Sequence, residues 1–135
     1  EHIGYAQLLF KSLRNNINSY NIIHGDPKIN NFLFDKKNKY VVSLIDLDTV
    51  SEGYLLTDLA DCIRSICNLA GEDPINKEDV HFDINTFKYF LNGYFSIALA
   101  KGNYPFRFLP EFIYLIIFEL GLRFFTDFLQ SNHYY

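Results

Sequence analysis

The chain has no Met and no Trp among its 135 residues, and only two Cys, four Pro and seven Gly. With no initiator, and an opening of EHIGYAQLLF, it reads as a piece cut from a longer protein. Two cysteines cannot make a disulfide framework. Cys62 and Cys67 would point about 140° apart on a helix of about 3.6 residues per turn. They read as free buried thiols of a reducing compartment, the cytoplasm. With no other Cys and no His at a useful spacing, a metal-ligand role for them is not expected. Long apolar runs are missing too: the longest, Phe112 to Phe118, stops at Glu119. That is far short of the ~18 residues a membrane span needs. No charged-then-apolar signal segment is present, although a piece cut from a longer protein could have left one behind. Positive charge is scarce. Twelve Lys and Arg against 16 Asp and Glu leave a net charge of −4, which argues against nucleic acid or an anionic membrane as partner.

What remains is a chain that is 49% hydrophobic and 21% charged, enough to bury the core of one compact domain. Apolar residues Ile3, Ala6, Leu9, Phe10, Leu13 and Ile17 predict a helix over about residues 4–19, ended by the run Asn15, Asn16, Asn18, Ser19, Asn21. Ile22-Ile23 is a short buried run feeding HGDPKINN. NFLFD and KYVVSLID, separated by the polar turn Lys36, Lys37, Asn38, Lys39, predict a β-hairpin. Leu55 to Ala70 reads as a helix closed by Gly71 with Pro74 beyond it. Asp83 is the expected N-cap of a second helix running to about Ala100. A third spans Glu111 to Gln130 with Pro110 at its start. The ten Tyr and 14 Phe are spread over these helices and read as core. The expected class is α+β: a mainly helical body with a small hairpin on one side.

The hairpin carries the chemistry. His24-Gly25-Asp26-Pro27-Lys28-Ile29-Asn30-Asn31 leads into its first strand, and its second delivers Asp46-Leu47-Asp48-Thr49. A hairpin brings both strand mouths together, so Asp26, Asn31 and Asp46 can converge. Phosphoryl transfer needs a carboxylate to orient the attacking hydroxyl and hard oxygen ligands for Mg²⁺ on the nucleotide phosphates. An Asp, an Asn five residues on, and an Asp ending the next strand form the pattern of the kinase-like catalytic lobe. Lys28 falls where protein kinases carry a phosphate-facing lysine. Singly, Asp26 and Asn31 could be turn formers and Asp46 a strand cap; their order and context favour the catalytic set. Asp46 is followed by Leu47-Asp48 rather than Phe-Gly, no Ala-Pro-Glu follows, and the next helix starts near Leu55. There is no room for an activation segment that cradles a peptide, which points to a small-molecule kinase.

HGDPKINN with IDLDT resembles the aminoglycoside phosphotransferase and choline kinase superfamily, and within it the N-acetylhexosamine 1-kinase branch. IDLDTVSEGYLLTDLADCIRS is similar to that branch's IDLDTV…G…DxxDxIR stretch, and ELGLRFFTDFLQSNHYY to its GxRFxTDxLxxDxYF ending. Gly25 sits at a position that varies in the branch, Asn132 stands where an Asp is expected, and the stretch from Gly71 to Arg107 matches little. The resemblance implies that residues 1–135 are part of the C-terminal catalytic lobe of a protein-kinase-like fold. The N-terminal nucleotide-binding lobe, with its Gly-rich loop and ATP-anchoring lysine, is absent, so the isolated fragment is expected to be inactive.

It implies an ATP- and Mg²⁺-dependent enzyme whose partners are a nucleotide, a small sugar-like acceptor and the missing lobe. The acceptor group would be a sugar hydroxyl, of an N-acetylhexosamine. The alternatives are an aminoglycoside or amino alcohol acceptor, or a non-catalytic kinase-like binding module. In this reading Asp26 and Lys28 are catalytic, and Asn31 and Asp46 bind the metal. Arg123, Asp48, Asp61 and Arg64 are candidate substrate contacts, while His24 and Asp58 support the loop. Asp61–Arg64 and Arg123–Asp127 share helix faces, so surface ion pairs worth under ~1 kcal/mol are the alternative for those residues. Glu119 is either a buried partner of an arginine or faces solvent.

Overall fold

The structure, a computed structural model, describes residues 3, 4, 6, 7, 11, 20–72, 74–98 and 106–131. The described residues between 3 and 11 are helical; the rest of the helix expected there, and Asn132, lie outside the described residues. Four short strands follow: β1 (Asn21–Ile23), β2 (Phe32–Phe34), β3 (Val41–Leu44) and β4 (Ser51–Gly53). Three helices come next: α1 (Leu55–Ile66), α2 (Ile84–Ala98) and α3 (Leu109–Leu129). The class is α+β, as expected.

The hairpin forms from β2 and β3, with Phe32 opposite Leu44, Leu33 opposite Ser43 and an irregularity before Phe34 pairs with Val41. Its turn is held by the Asp35 carboxylate, which accepts the Lys37 and Asn38 N–H groups. The sequence reading did not anticipate a second antiparallel pair, β1 with β4, in which Ile22 opposes Glu52. It also took Ile22-Ile23 for a buried run, whereas Ile22 is 71% exposed. In this ribbon the two isoleucines point to opposite faces and only one faces protein.

The core lies between α1 and α3. Leu56, Leu59, Ala60, Ile63 and Cys67 recur at helical spacing along one stripe and meet Leu109 and Phe112. Phe87, Phe90, Leu91 and Tyr94 of α2 pack against that cluster. Asp83 caps α2, its carboxylate accepting the Thr86 N–H at 2.6 Å. Pro110 stands in the first turn of α3, which begins two residues earlier than expected. Helix α1 ends at Ile66 rather than Ala70. Tertiary contacts replace its last turn: the Cys67 carbonyl accepts the Asp83 N–H at 2.8 Å, and Asn68 bridges to Phe82. Cys62 and Cys67 are free and buried, and burial pushes their thiols up to about 12 and about 11. Glu119 faces solvent. Among the described residues no helix is long and apolar enough to cross a membrane.

Candidate active site

The loop between β1 and β2 turns sharply at Gly25, whose φ of +89° lies in the left-handed region. A Cβ there would also stand 2.7 Å from the Thr49 carbonyl oxygen, so the position needs glycine on two counts. The close approach is sealed by the Thr49 hydroxyl, which donates to the His24 carbonyl at 2.7 Å. Asp58, in the first turn of α1, grips the loop backbone. Its two carboxylate oxygens accept the N–H groups of His24 at 2.6 Å and Gly25 at 3.0 Å.

The His24 ring is buried and spans the two strand mouths. Its Nδ1 accepts the Asp26 N–H at 3.3 Å, which leaves the proton on Nε2 to donate to the Ile45 carbonyl at 2.9 Å. One ring thereby ties the residue that carries the Asp26 carboxylate to the residue preceding Asp46. A second tie runs beside it, from the Ile45 N–H to the Asn31 carbonyl at 2.9 Å.

Asp26 is half-buried and meets Lys28, whose Nζ lies 3.1 Å from its Oδ2. The hydrogen bond that the Lys28 ammonium donates to Asp26 is the main cause that raises the Lys28 pKa. Asn31 is 5% exposed, and its Nδ2 donates to the Asp26 carbonyl at 2.8 Å and to Asp26 Oδ2 at 3.3 Å. With the amide nitrogen committed to Asp26, the oxygen Oδ1, the atom a hard cation prefers, is the one left over.

Asp46 completes the mouth in a left-handed conformation, with φ 66° and ψ 59°. A non-glycine residue there is held by its surroundings, a form of strain that concentrates at functional sites. Its carboxyl pKa is raised, first by a hydrogen bond shared with the Asp48 side chain and then by the repulsion of that carboxylate; Asp26 adds to this and Lys28 opposes it. The Asp46 carboxylate and the Asn31 amide oxygen are hard oxygen donors of the kind a divalent cation takes. Among the described residues no group of three or more His, Cys, Asp or Glu is arranged to hold a metal. Two such donors suit a cation that takes few protein ligands and completes its shell on phosphates, as Mg²⁺ does.

The remaining candidates divide. Asp61 and Arg64 meet each other, Oδ1 to Nε at 2.8 Å, and Arg64 reaches Glu72 at 3.4 Å. Burial raises the Asp61 pKa and Arg64 opposes the rise. Arg64 is thus engaged by two carboxylates beside the loop, so the ion pair given as the alternative to a substrate contact does form. Arg123 is exposed on the C-terminal half of α3, and no described contact joins it to the Asp26 cluster. Sequence reasoning missed three residues: Thr49, Glu72 and Ser65. The Ser65 hydroxyl accepts the Ile29 N–H at 2.9 Å, and a serine inside a helix gives no sequence signal of that role. An open cleft is lined by Leu69, Ala70, Pro74, Ile75, Asp79 and His81, and none of the candidate residues is part of that lining.

Comparison with known proteins bears on this geometry. The phosphotransferase enzyme family, APH, matches residues 6–85, which include the whole loop, the hairpin and α1. Over 55 residues, 41% of the chain, the sequence is 36% identical to acyl-CoA dehydrogenase family member 11 of Pongo abelii, and equally to that of Homo sapiens. The chain spans 7% of the length of those relatives. The fold is similar to the crystal structure of an aminoglycoside-3′-phosphotransferase of type VIII, with a TM-score of 0.51 at 23% identity. That likeness covers 81% of this chain and 38% of the other.

Proposed function

The chain belongs to the phosphotransferase enzyme family, and from that premise we propose that it carries the acceptor-activating and cation-binding part of an ATP- and Mg²⁺-dependent small-molecule kinase. The observation that carries the reading is the hairpin mouth, where Asp26, Lys28 and Asn31 are joined by hydrogen bonds and tied through His24 and Ile45 to Asp46. Asp26 keeps Oδ2 on Lys28 and Asn31, so Oδ1 would receive the proton of the acceptor hydroxyl. The acceptor oxygen would bond to the γ-phosphorus of ATP as the bond to ADP breaks. The Lys28 ammonium would sit against the phosphoryl group in transit. Asn31 Oδ1 and the Asp46 carboxylate would hold Mg²⁺, which would supply positive charge against the nucleotide phosphates.

The acceptor we propose is a sugar hydroxyl, of an N-acetylhexosamine. The IDLDTV, DLADCIRS and LGLRFFTDFL stretches support it, as does an exposed arginine in the last of them, Arg123. Strand β3 and its flanks support a nucleotide-covering lobe elsewhere in the protein: Val41, Val42 and Leu47 are 52%, 61% and 60% exposed. The two buried free thiols suit a cytoplasmic setting.

The test is ADP release by the full-length protein, with Mg²⁺, across sugars, amino sugars and amino alcohols. We expect turnover with an N-acetylhexosamine. Turnover only with aminoglycosides or amino alcohols would overturn the acceptor, and nucleotide binding with no transfer would make the protein a binding module. In the active enzyme, Arg123→Lys is expected to raise the acceptor KM several-fold, because an ammonium cannot reproduce the paired donors of a planar fork. The ATP KM and Tm should not move. An unchanged acceptor KM removes Arg123 from the sugar site.

A further inference from the structure

We propose that Ser65 is a positioning residue of the catalytic loop, setting through Ile29 where Lys28 and Asn31 stand. What that placement serves rests on the kinase reading above. Helix α1 touches the loop at two points. Asp58 takes the His24 and Gly25 N–H groups, and the Ser65 hydroxyl oxygen takes the Ile29 N–H at 2.9 Å. Seven residues separate Asp58 from Ser65, two turns of helix and about 10.5 Å of rise. Both side chains therefore leave the same face, and the loop from His24 to Ile29 is stretched between them. Asp26, Pro27 and Lys28 form the span.

The far anchor matters because the next turn is built on it. Ile29–Asn31 is a single 3₁₀ turn, and the Asn31 N–H donates to the Lys28 carbonyl at 2.9 Å. Movement of Ile29 therefore moves the Lys28 carbonyl, and with it Asn31 and its bond to Asp26 Oδ2. Asp58 fixes the His24 end and the Ile45 N–H holds the Asn31 carbonyl at the other, so Ser65 is the anchor that fixes the Ile29 amide between them. Ser65 is 5% exposed, in a helix interior where alanine would be the better helix former. A hydroxyl kept there meets a specific demand, an amide that would otherwise lose its acceptor.

The test uses a pair of variants of equal shape in the full-length protein. Ser65→Thr keeps the oxygen and adds a methyl group; Ser65→Val adds the same bulk without the oxygen. With Mg²⁺ and acceptor varied, Ser65→Val is expected to lower kcat about three- to tenfold and raise the Mg²⁺ half-saturation, the scale of one net hydrogen bond. Ser65→Thr should keep both constants closer to wild type at a similar Tm. Equal kinetics for the two variants, or losses that follow Tm alone, overturn the proposal. If both fail to fold, Ser65→Ala takes their place, with the same constants compared at temperatures well below its Tm. Amide exchange at Ile29 reads the anchor without activity. It should speed up in Ser65→Val relative to Ser65→Thr, and unchanged exchange overturns the proposal even if the wild type transfers no phosphoryl group. A wild type that fails to transfer, with Ile29 exchange responding as expected, counts against the kinase reading and leaves the anchor standing.

Discussion

Asp46 is in conflict with its surroundings in two ways, by backbone conformation and by charge, and one substitution separates the structural cost from the function. Its φ of 66° lies where Asn is more at ease than most residues, and the Asp48 carboxylate beside it raises its pKa. Asp46→Asn removes the repulsion at no cost to the backbone, so Tm should hold or rise. On the proposed kinase reading the same change removes an anion that would hold Mg²⁺, so turnover should vanish at ordinary Mg²⁺ concentrations. Melting curves and kinetics of this one variant check both halves. A variant that loses Tm together with activity would mean that Asp46 only holds the turn. The position of this carboxylate was legible in the sequence, because Asp46 follows the second strand of a hairpin whose first strand is led by Asp26 and Asn31. The left-handed backbone and the Asp48 contact were not, since both depend on the turn that follows.

At the scale of elements, caps were easier to read than ends. Asp83 was legible as a helix start, and its carboxylate is held below the usual value chiefly by the Thr86 N–H it accepts. A carboxyl lowered on folding stabilises the protein above its unfolded pKa, and that stabilisation fades as pH falls through the folded value. Wild type should therefore lose Tm on acidification below about pH 4. Asp83→Ala should start with a lower Tm at neutral pH and show a shallower acid slope, as thermal melts from pH 7 to 3 would record. Parallel slopes would rule out the carboxylate as the cap. The end of α1 was not legible, because the bonds that replace its last turn come from Phe82 and Asp83, far along the chain. The β1–β4 pair escaped for the same reason: three-residue strands carry too little alternation to announce themselves, and their pairing joins Asn21 to Gly53. The hairpin was legible because its turn residues and the two apolar runs beside them are contiguous. The face of α1 that grips the loop was half legible, through Asp58 but not Ser65.

Across the whole molecule, burial and function are divided. The buried cluster joins α1 to α3, while the hairpin that presents Asn31 and Asp46 leaves most of its apolar side chains in the open. Ile63 is fully buried at the centre of that cluster, so Ile63→Ala should cost ~2–5 kcal/mol of stability. Ile63 sits on the helix that carries Asp58 and Ser65 but touches neither the loop nor the hairpin mouth by any described hydrogen bond. The folded variant should therefore retain its kcat well below its Tm. Val42 offers the opposite case, being 61% exposed in β3. If this were its surroundings in the full-length protein, Val42→Ala would change stability by less than ~0.5 kcal/mol. The proposed nucleotide lobe would cover the hairpin, and removing two buried methyl groups would then cost about 1 kcal/mol or more. Denaturant unfolding of the full-length wild type and of both variants decides it. A large loss at Ile63 with a measurable loss at Val42 is the expected pair. A silent Val42 would mean that nothing packs on this face of the hairpin, and the support that its exposed side chains lend to a covering lobe would fall with it.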